Sequence, residues 1–387
     1  MKIVQLVPAM DQGGVERGIV EMNRVLVAAG HDNLVVSAGG RLEEQVLAAG
    51  GRTARVDIKS KNPLTAFSRA RTLRALLERE KPDVVVAHSR VPAWLFILAN
   101  RKLRLKWITF AHGANSVSAY SRVMTYGDVT VTPSKYIADY LTEHYKIAPS
   151  RLRVIPRAID REKFNTEKLD ASFMDEKRRE WKIDGFRVVM GLGRITQLKG
   201  YDVLIRAVAR LHSEHLASGV SSPDWKLVIV GEAEALRKEY EESLRRLVES
   251  EGISDNVVFA GAASKVAECL SLADIVVSAN YKKPEAFGRS MAEALAMGRP
   301  VVAAAFGGAL DIVEDGVNGA LVDVDPKADA AEMAVRFSDA IRSVASSDFK
   351  DLRPSALEKF SFERMAARSL AVYGEFENLE KKSDIRG

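Results

Sequence analysis

A single cysteine, Cys269, serves the whole chain of 387 residues. That excludes an intramolecular disulfide and any cysteine-based zinc site, and it suits a reducing compartment. No window approaches the roughly 20 consecutive apolar residues that a membrane-crossing helix requires. Met1–Pro8 holds one lysine and an apolar run too short for the hydrophobic region of a signal peptide. The cytoplasm is therefore the expected compartment. No Gly-x-Ser-x-Gly elbow marks a hydrolase, and no cluster of histidine and cysteine has zinc spacing. Aromatic residues make up only 7% of the chain.

What is present is ordinary globular composition, 47% hydrophobic and 28% charged, in a chain long enough for two cores. The net charge of +5 is unevenly spread. Arg55–Lys106 carries 13 basic residues against 4 acidic, a balance of +9, which leaves −4 for the remainder. Such a stretch is read either as a contact for an anionic partner or as a solvated face. A nucleic acid is the weaker partner, because only Phe67, Trp94 and Phe96 are there to stack on bases.

Strand-like runs at Lys2–Val7, Asn33–Ser37, Arg52–Ile58, Asp83–Ala87, Lys106–Phe110, Val129–Thr132 and Arg153–Ile155 alternate with helical periodicity, first at Val15–Ala29. The rhythm breaks over Pro156–Asp184, where the dense charge of Arg157–Lys182 suggests a linker. It resumes with strands at Arg187–Gly191, Lys226–Val230, Asn256–Ala260, Asp274–Ser278 and Pro300–Ala304. Helices are expected at Tyr201–His212, Ala233–Ser250, Lys265–Ser271 and Arg289–Met297. This alternation predicts two α/β domains, each a doubly wound parallel sheet covered on both faces. The boundaries expected are 1–165 and 166–361. An amphipathic helix over about 362–387 is expected to pack back onto the first domain.

Two carboxylates, two cations and several glycines carry the chemical signal. Gly191-Leu-Gly-Arg-Ile-Thr-Gln-Leu-Lys-Gly200 runs from a strand through glycines to a helix, with Arg194 and Lys199 between. Glycine-x-glycine alone also fits a plain strand-to-helix turn. Two fixed cations and a helix amino end favour a diphosphate. The glycine pair Gly13-Gly14 opens the first helix in the same manner. Glu285 follows a strand, and Glu293 lies eight residues on, in a largely apolar helix where a carboxylate requires a partner. Asp323-Val-Asp325 is formally an Asp-x-Asp motif, but its place between a strand and Pro326 reads as a turn, so no metal is expected.

Glu285-x7-Glu293 with Phe287-Gly288 inside it, followed by Gly298-x-Pro300, resembles the retaining glycosyltransferases of family 4, which have the GT-B fold. The resemblance extends through Gly13-Gly14, Gly193-Arg194, Lys199-Gly200, Val230-Gly231-Glu232, Phe259-Ala-Gly261 and Ala273-Asp274. It implies two Rossmann-like domains facing across a cleft, with the C-terminal helix returning to the N-terminal domain. It implies a nucleotide-diphosphate sugar donor, no cofactor and no metal. Arg194 and Lys199 would hold the diphosphate and stabilise its charge as it leaves. Glu293 would bind the ribose. Glu285 and the main-chain amides of Phe287, Gly288 and Arg289 would bind the sugar. Gly13 and Gly14 would pack against the diphosphate, and His112 would face the sugar from the first domain. His88 is a lesser candidate on the acceptor side. The chain departs from the family pattern after Pro156, where Arg157-Ala158 stands in place of the frequent Asn-Gly.

The expected reaction is hexosyl transfer to a glycan or lipid-linked acceptor in lipopolysaccharide or other cell-surface polysaccharide synthesis. Leu64, Phe67, Leu73, Leu76 and Leu77, interleaved with Arg69, Arg71, Arg74 and Arg79, are read either as a helix covering the sheet or as one lying on anionic lipid. In the second reading residues 59–106 would attach the enzyme to the inner face of the cell membrane. Hydrolysis or epimerisation of a nucleotide sugar, and nucleic-acid binding through the basic stretch, are the alternatives.

Overall fold

A computed structural model describes residues 1–11, 13–219, 223–233 and 238–384, with side chains through residue 377. Gln12 of the expected Asp11–Gly14 turn, residues 234–237 of the expected Ala233–Ser250 helix and residues 385–387 of the expected C-terminal helix lie outside them. The chain forms two compact units. Met1–Arg157 and the chain from Glu363 onward make the first, and Ala158–Phe362 makes the second.

The first unit runs β1 (Lys2–Leu6), α1 (Gly14–Ala28), β2 (Asp32–Ser37), α2 (Glu43–Ala48), β3 (Arg52–Arg55), α3 (Ala66–Glu80), β4 (Val84–Ala87), α4 (Arg90–Asn100), β5 (Lys106–Phe110), β6 (Val129–Thr132), α5 (Lys135–Tyr145) and β7 (Leu152–Val154). Its strands form one parallel sheet in the order β3-β2-β1-β4-β5-β6-β7. The order reverses between β1 and β4, where the crossovers diverge to opposite faces and leave a crevice at the strands' carboxyl ends.

The second unit runs α6 (Ala171–Trp181), β8 (Phe186–Leu192), α7 (Tyr201–Ser218), β9 (Asp224–Val230), α8 (Lys238–Ser250), β10 (Val257–Gly261), α9 (Val266–Ser271), β11 (Ile275–Ser278), α10 (Arg289–Ala296), β12 (Val301–Ala304), β13 (Gly319–Val322), α11 (Ala330–Ala345) and α12 (Leu352–Lys359). Its parallel sheet has the order β10-β9-β8-β11-β12-β13, reversing between β8 and β11. Alternation along the strands sends Val188, Met190, Val276 and Val301 into one core. Val189, Val277 and Val302 enter the other. Each face of the sheet is thus buried under helices, which is why these strands are apolar throughout.

The charged stretch expected to be a linker is partly helical. Asp170 Oδ1 accepts from the Phe173 amide at 3.0 Å and caps α6, and Trp181 at the helix end is 2% exposed. Charge there marks the helix's outer face rather than an unfolded connection. The last helix, α13 (Phe362–Asp384), clusters with the first unit. Arg153 on β7 makes a two-pronged ion pair with Glu375 at 2.7 and 2.8 Å, beside buried Val372, Tyr373 and Phe376. At the root of the second unit, the Ile159 amide donates to the Phe360 carbonyl at 2.9 Å.

Candidate active site

In the second unit the candidate residues gather where the strand order reverses. β8 delivers Gly193 and Arg194, and β11 delivers Asn280 and then Glu285. A single helical turn at Gln197–Lys199 carries Lys199 into this crevice, where its ammonium pairs with Glu285 Oε1. Asn280 is 7% exposed and ties the pair down. Its amide nitrogen donates to Glu285 Oε1 at 3.2 Å and to the Leu198 carbonyl at 2.9 Å, while its oxygen accepts from Ser278 Oγ at 2.9 Å. Sequence reasoning missed Asn280. The available signal was a lone amide directly after the apolar strand β11.

The glycines here answer to geometry. Gly193 has φ +142° and lies against Lys199, so that an added Cβ would sit 3.0 Å from Lys199 Cε. Tyr201 donates its hydroxyl to the Gly193 carbonyl at 2.8 Å. Burial, helped by the Glu285 carboxylate, pushes that phenol far above its ordinary range and keeps it a donor. The Glu285 carbonyl accepts from the Gly308 amide at 2.8 Å, fixing the loop that carries the carboxylate.

Gly288, at φ +98°, opens α10, and Glu293 lies half-buried on that helix between buried Ala292 and Ala294. The Phe287 side chain is buried edge-on against Phe360, 5.6 Å between ring centres. Arg289 is half-buried in the first turn of α10, and Arg194 is exposed. Asp323 pairs with Arg336 at 3.6 Å, and Asp325 accepts from the Lys327 amide at 2.8 Å, as a strand-end turn does. Among the described residues no group of three or more His, Cys, Asp and Glu is placed to hold a metal ion.

In the first unit, His88 follows β4 and His112 follows β5. The two rings are stacked with centres 5.3 Å apart, and His88 Nδ1 meets His112 Nε2 at 3.0 Å. Phe110 stacks on His112 at 4.4 Å. Arg157 Nη2 reaches His112 Nδ1 at 2.6 Å, and its guanidinium lies over the Phe110 ring. Burial first, then Arg157, lowers the pKa of both imidazoles, that of His88 to about 3. Gly13 and Gly14 stand at the start of α1. An added Cβ at Gly14 would meet nothing within 4 Å, so this unit's own packing does not require the glycine.

α3 does cover the sheet, with Leu73, Leu76 and Leu77 buried, whereas Leu64 and Phe67 are 91% and 76% exposed. Two of its arginines serve the fold. Arg69 donates to the Ser60 and Asn62 carbonyls, and Arg74 to those of Leu98 and Ala99. Among the described residues no helix is long and apolar enough to cross a membrane.

Residues 12–163 match the family described as Glycosyltransferase Family 4, and residues 173–342 match Glycosyl transferases group 1. A D-inositol 3-phosphate glycosyltransferase of Acidothermus cellulolyticus is 29% identical over 81% of this chain and 75% of its own length. One from Stackebrandtia nassauensis is 35% identical over 52% of this chain, a match spanning under half, 44%, of that relative's length. Among solved structures, a glycosyltransferase of Rickettsia africae superposes with a TM-score of 0.83 at 24% identity, covering 97% of this chain and 98% of that one. Anabaena HepE in complex with UDP gives 0.79 at 20% identity, covering 97% and 100%. The lipopolysaccharide outer core galactosyltransferase WaaB gives 0.75 at 17%, covering 97% and 100%. These likenesses fix the fold as GT-B, and the paired sheets of seven and six strands agree with it. The chain belongs to the family 4, group 1 glycosyltransferases.

Proposed function

We propose that this glycosyltransferase moves a hexose-type sugar from a nucleoside diphosphate to an acceptor hydroxyl, with retained anomeric configuration and no metal ion. The observation that carries the reading is the Lys199–Glu285–Asn280 cluster at the carboxyl ends of β8 and β11. A doubly wound sheet takes nucleotides at that place. In this reading Arg194 and Lys199 hold the diphosphate and stabilise its negative charge as it leaves, the task a metal performs elsewhere. Glu293 binds the ribose hydroxyls in this reading. Glu285 and the amides of Phe287, Gly288 and Arg289 bind the sugar. On the first unit, Gly13-Gly14 and His112 are the proposed ligand contacts, and the open space at Gly14 suits close approach of a ligand to the backbone.

In the reaction the bond from the anomeric carbon to the phosphate oxygen breaks, and a bond to the acceptor oxygen forms on the same face. The acceptor's proton passes to the departing phosphate. The HepE structures with UDP and UDP-glucose support a uridine donor.

A glycan or lipid-linked acceptor is our first reading, which places the enzyme in cell-surface polysaccharide synthesis. The exposed Leu64 and Phe67 beside Lys59, Lys61 and Arg71 suit a peripheral seat on anionic lipid. The relatives named D-inositol 3-phosphate glycosyltransferase favour a second acceptor, a phosphorylated polyol.

A thermal-shift screen of UDP-, GDP- and ADP-sugars in EDTA tests the donor site. One donor should raise the midpoint of the wild type, and Glu293→Ala should lose most of that shift. Transfer assays with inositol phosphate and with lipid-linked glycan then separate the acceptors. A donor shift that appears only with Mg²⁺ would remove the metal-free mechanism, and no shift with any nucleotide would remove the reading altogether.

A further inference from the structure

A chain of polar side chains runs through the first unit from half-buried Arg157 and His112, through buried His88, Gln5, Asn33 and Asn23, to the backbone of α2. Arg157 Nη2 meets His112 Nδ1 at 2.6 Å, His112 Nε2 meets His88 Nδ1 at 3.0 Å, and His88 Nε2 meets Gln5 Oε1 at 2.9 Å. Gln5 Nε2 then donates to Asn33 Oδ1 at 3.0 Å, Asn33 Nδ2 to Asn23 Oδ1 at 2.7 Å, and Asn23 Nδ2 to the Val46 carbonyl at 3.1 Å. Gln5, Asn23 and Asn33 are at most 1% exposed, and His88 is 6% exposed.

The two ends fix the direction of every link. A guanidinium can only donate, so His112 Nδ1 must offer its lone pair. Neutral His112 then carries its proton on Nε2 and donates to His88 Nδ1, which puts the His88 proton on Nε2, facing Gln5. At the other end a backbone carbonyl can only accept, so the amides point the same way. Adding a proton to His112 Nδ1 would set it against the guanidinium. Adding one to His88 Nδ1 would set it against His112 Nε2–H. Among the described residues, the charged and titratable groups bearing on the pair are Arg157 and the imidazoles themselves.

The placement of Arg157 depends on Gly18 of α1, where an added Cβ would lie 2.1 Å from Arg157 Nη1. Arg157 is also the residue at which this sequence departs from the Asn-Gly of the family it resembles. We propose that Arg157 is a positioning residue that locks His112 and His88 as Nε2–H tautomers, so that the pair acts as neutral hydrogen-bonding rings and transfers no proton. Both nitrogens of His112 are thereby engaged within its own unit. If His112 contacts a ligand as proposed above, it does so as a neutral ring and not as an acid or base.

The test is two-bond ¹H–¹⁵N correlation spectroscopy of histidine in the full chain, with the two resonances assigned through His88→Gln and His112→Gln. In the wild type both rings should show an unprotonated Nδ1 and a protonated Nε2, unchanged from about pH 5 to about pH 8, a window centred on the ordinary histidine pKa of about 6.5. Arg157→Met should convert His112 to mixed tautomers and move its titration up toward that value, and Arg157→Lys should restore part of the fixed pattern. Gly18→Ala, which keeps the charge but displaces the guanidinium, should behave like Arg157→Met and decides the matter if the latter fails to fold. Wild-type His112 titrating in this window, or protonated on Nδ1, overturns the proposal, as does an unchanged pattern in both Arg157→Met and Gly18→Ala. In a transfer assay the wild-type rate should show no histidine limb, and Arg157→Met should gain one. An absence of transfer with every donor would count against the function while leaving the spectra to decide the tautomers.

Discussion

At Gly200 the backbone is left-handed, φ +66°, and an added Cβ would lie 2.1 Å from the Ala279 carbonyl oxygen. No side chain fits between the turn bearing Lys199 and the end of β11, so the approach that brings Lys199 to Glu285 exists only with glycine there. Gly200→Ala should cost more than about 2 kcal/mol, from backbone strain together with the clash. Urea denaturation measures it, and a loss under about 0.5 kcal/mol would show that the turn can shift. Gly14→Ala is the control, since its Cβ would enter open space. It should leave stability within about 0.5 kcal/mol and, if Gly14 admits the donor, lower the thermal shift that the donor produces. At this scale the sequence spoke plainly where type and position coincided, as for Lys199 and Glu285. It was silent about Asn280, Gln5, Asn33 and Asn23. Apart from the lone amide after β11, their roles rest on partners that the fold brings together, as Gln5 with His88 and Asn280 with the Leu198 carbonyl, which no local pattern encodes.

Among the elements, α13 is held by two kinds of contact that differ in strength. Its ion pair, Arg153 with Glu375, is about one third exposed on each side and is screened by solvent. Phe376, beside it, is 4% exposed. Glu375→Ala should therefore cost about 0.2–1 kcal/mol, against about 3–5 kcal/mol for Phe376→Ala. Denaturant midpoints for the two variants would rank them, and equal losses would mean the ion pair matters more than its exposure allows. Strand-helix alternation made the sheets legible because fully buried parallel strands are continuous apolar runs. α6 was not legible, since it buries mainly its terminal Trp181 and otherwise shows water a charged face. α11 was likewise not anticipated, although Met333, Phe337 and Ile341 recur on its buried side at helical spacing.

For the molecule as a whole, the histidine pair makes stability depend on pH. His88 titrates at about 3 in the fold and His112 is also lowered, against about 6.5 when unfolded. Between those values the unfolded chain binds more protons than the native one, so stability rises with pH across the window and is lost on acidification. Asp170 and Glu80, lowered by hydrogen bonds from Lys265 and Arg52, withdraw further support at still lower pH. We expect the thermal midpoint to fall between pH 7 and pH 5, and His88→Gln to flatten that slope. An unchanged midpoint would mean that the unfolded chain does not recover ordinary histidines.

The second unit enters at Ala158 and leaves at Phe362, and the Ile159 amide bonds to the Phe360 carbonyl at 2.9 Å. Topologically it is a guest inserted into a host whose own chain continues on either side. Because the guest's two ends are already knotted together, the gene can be cut at both and the guest made as a free-standing piece. The host can be resealed with a short bridge from Arg157 to Glu363. Such a pair would let each half's ligand be weighed separately, and it marks the junction as a place where new pairings of halves can be assembled.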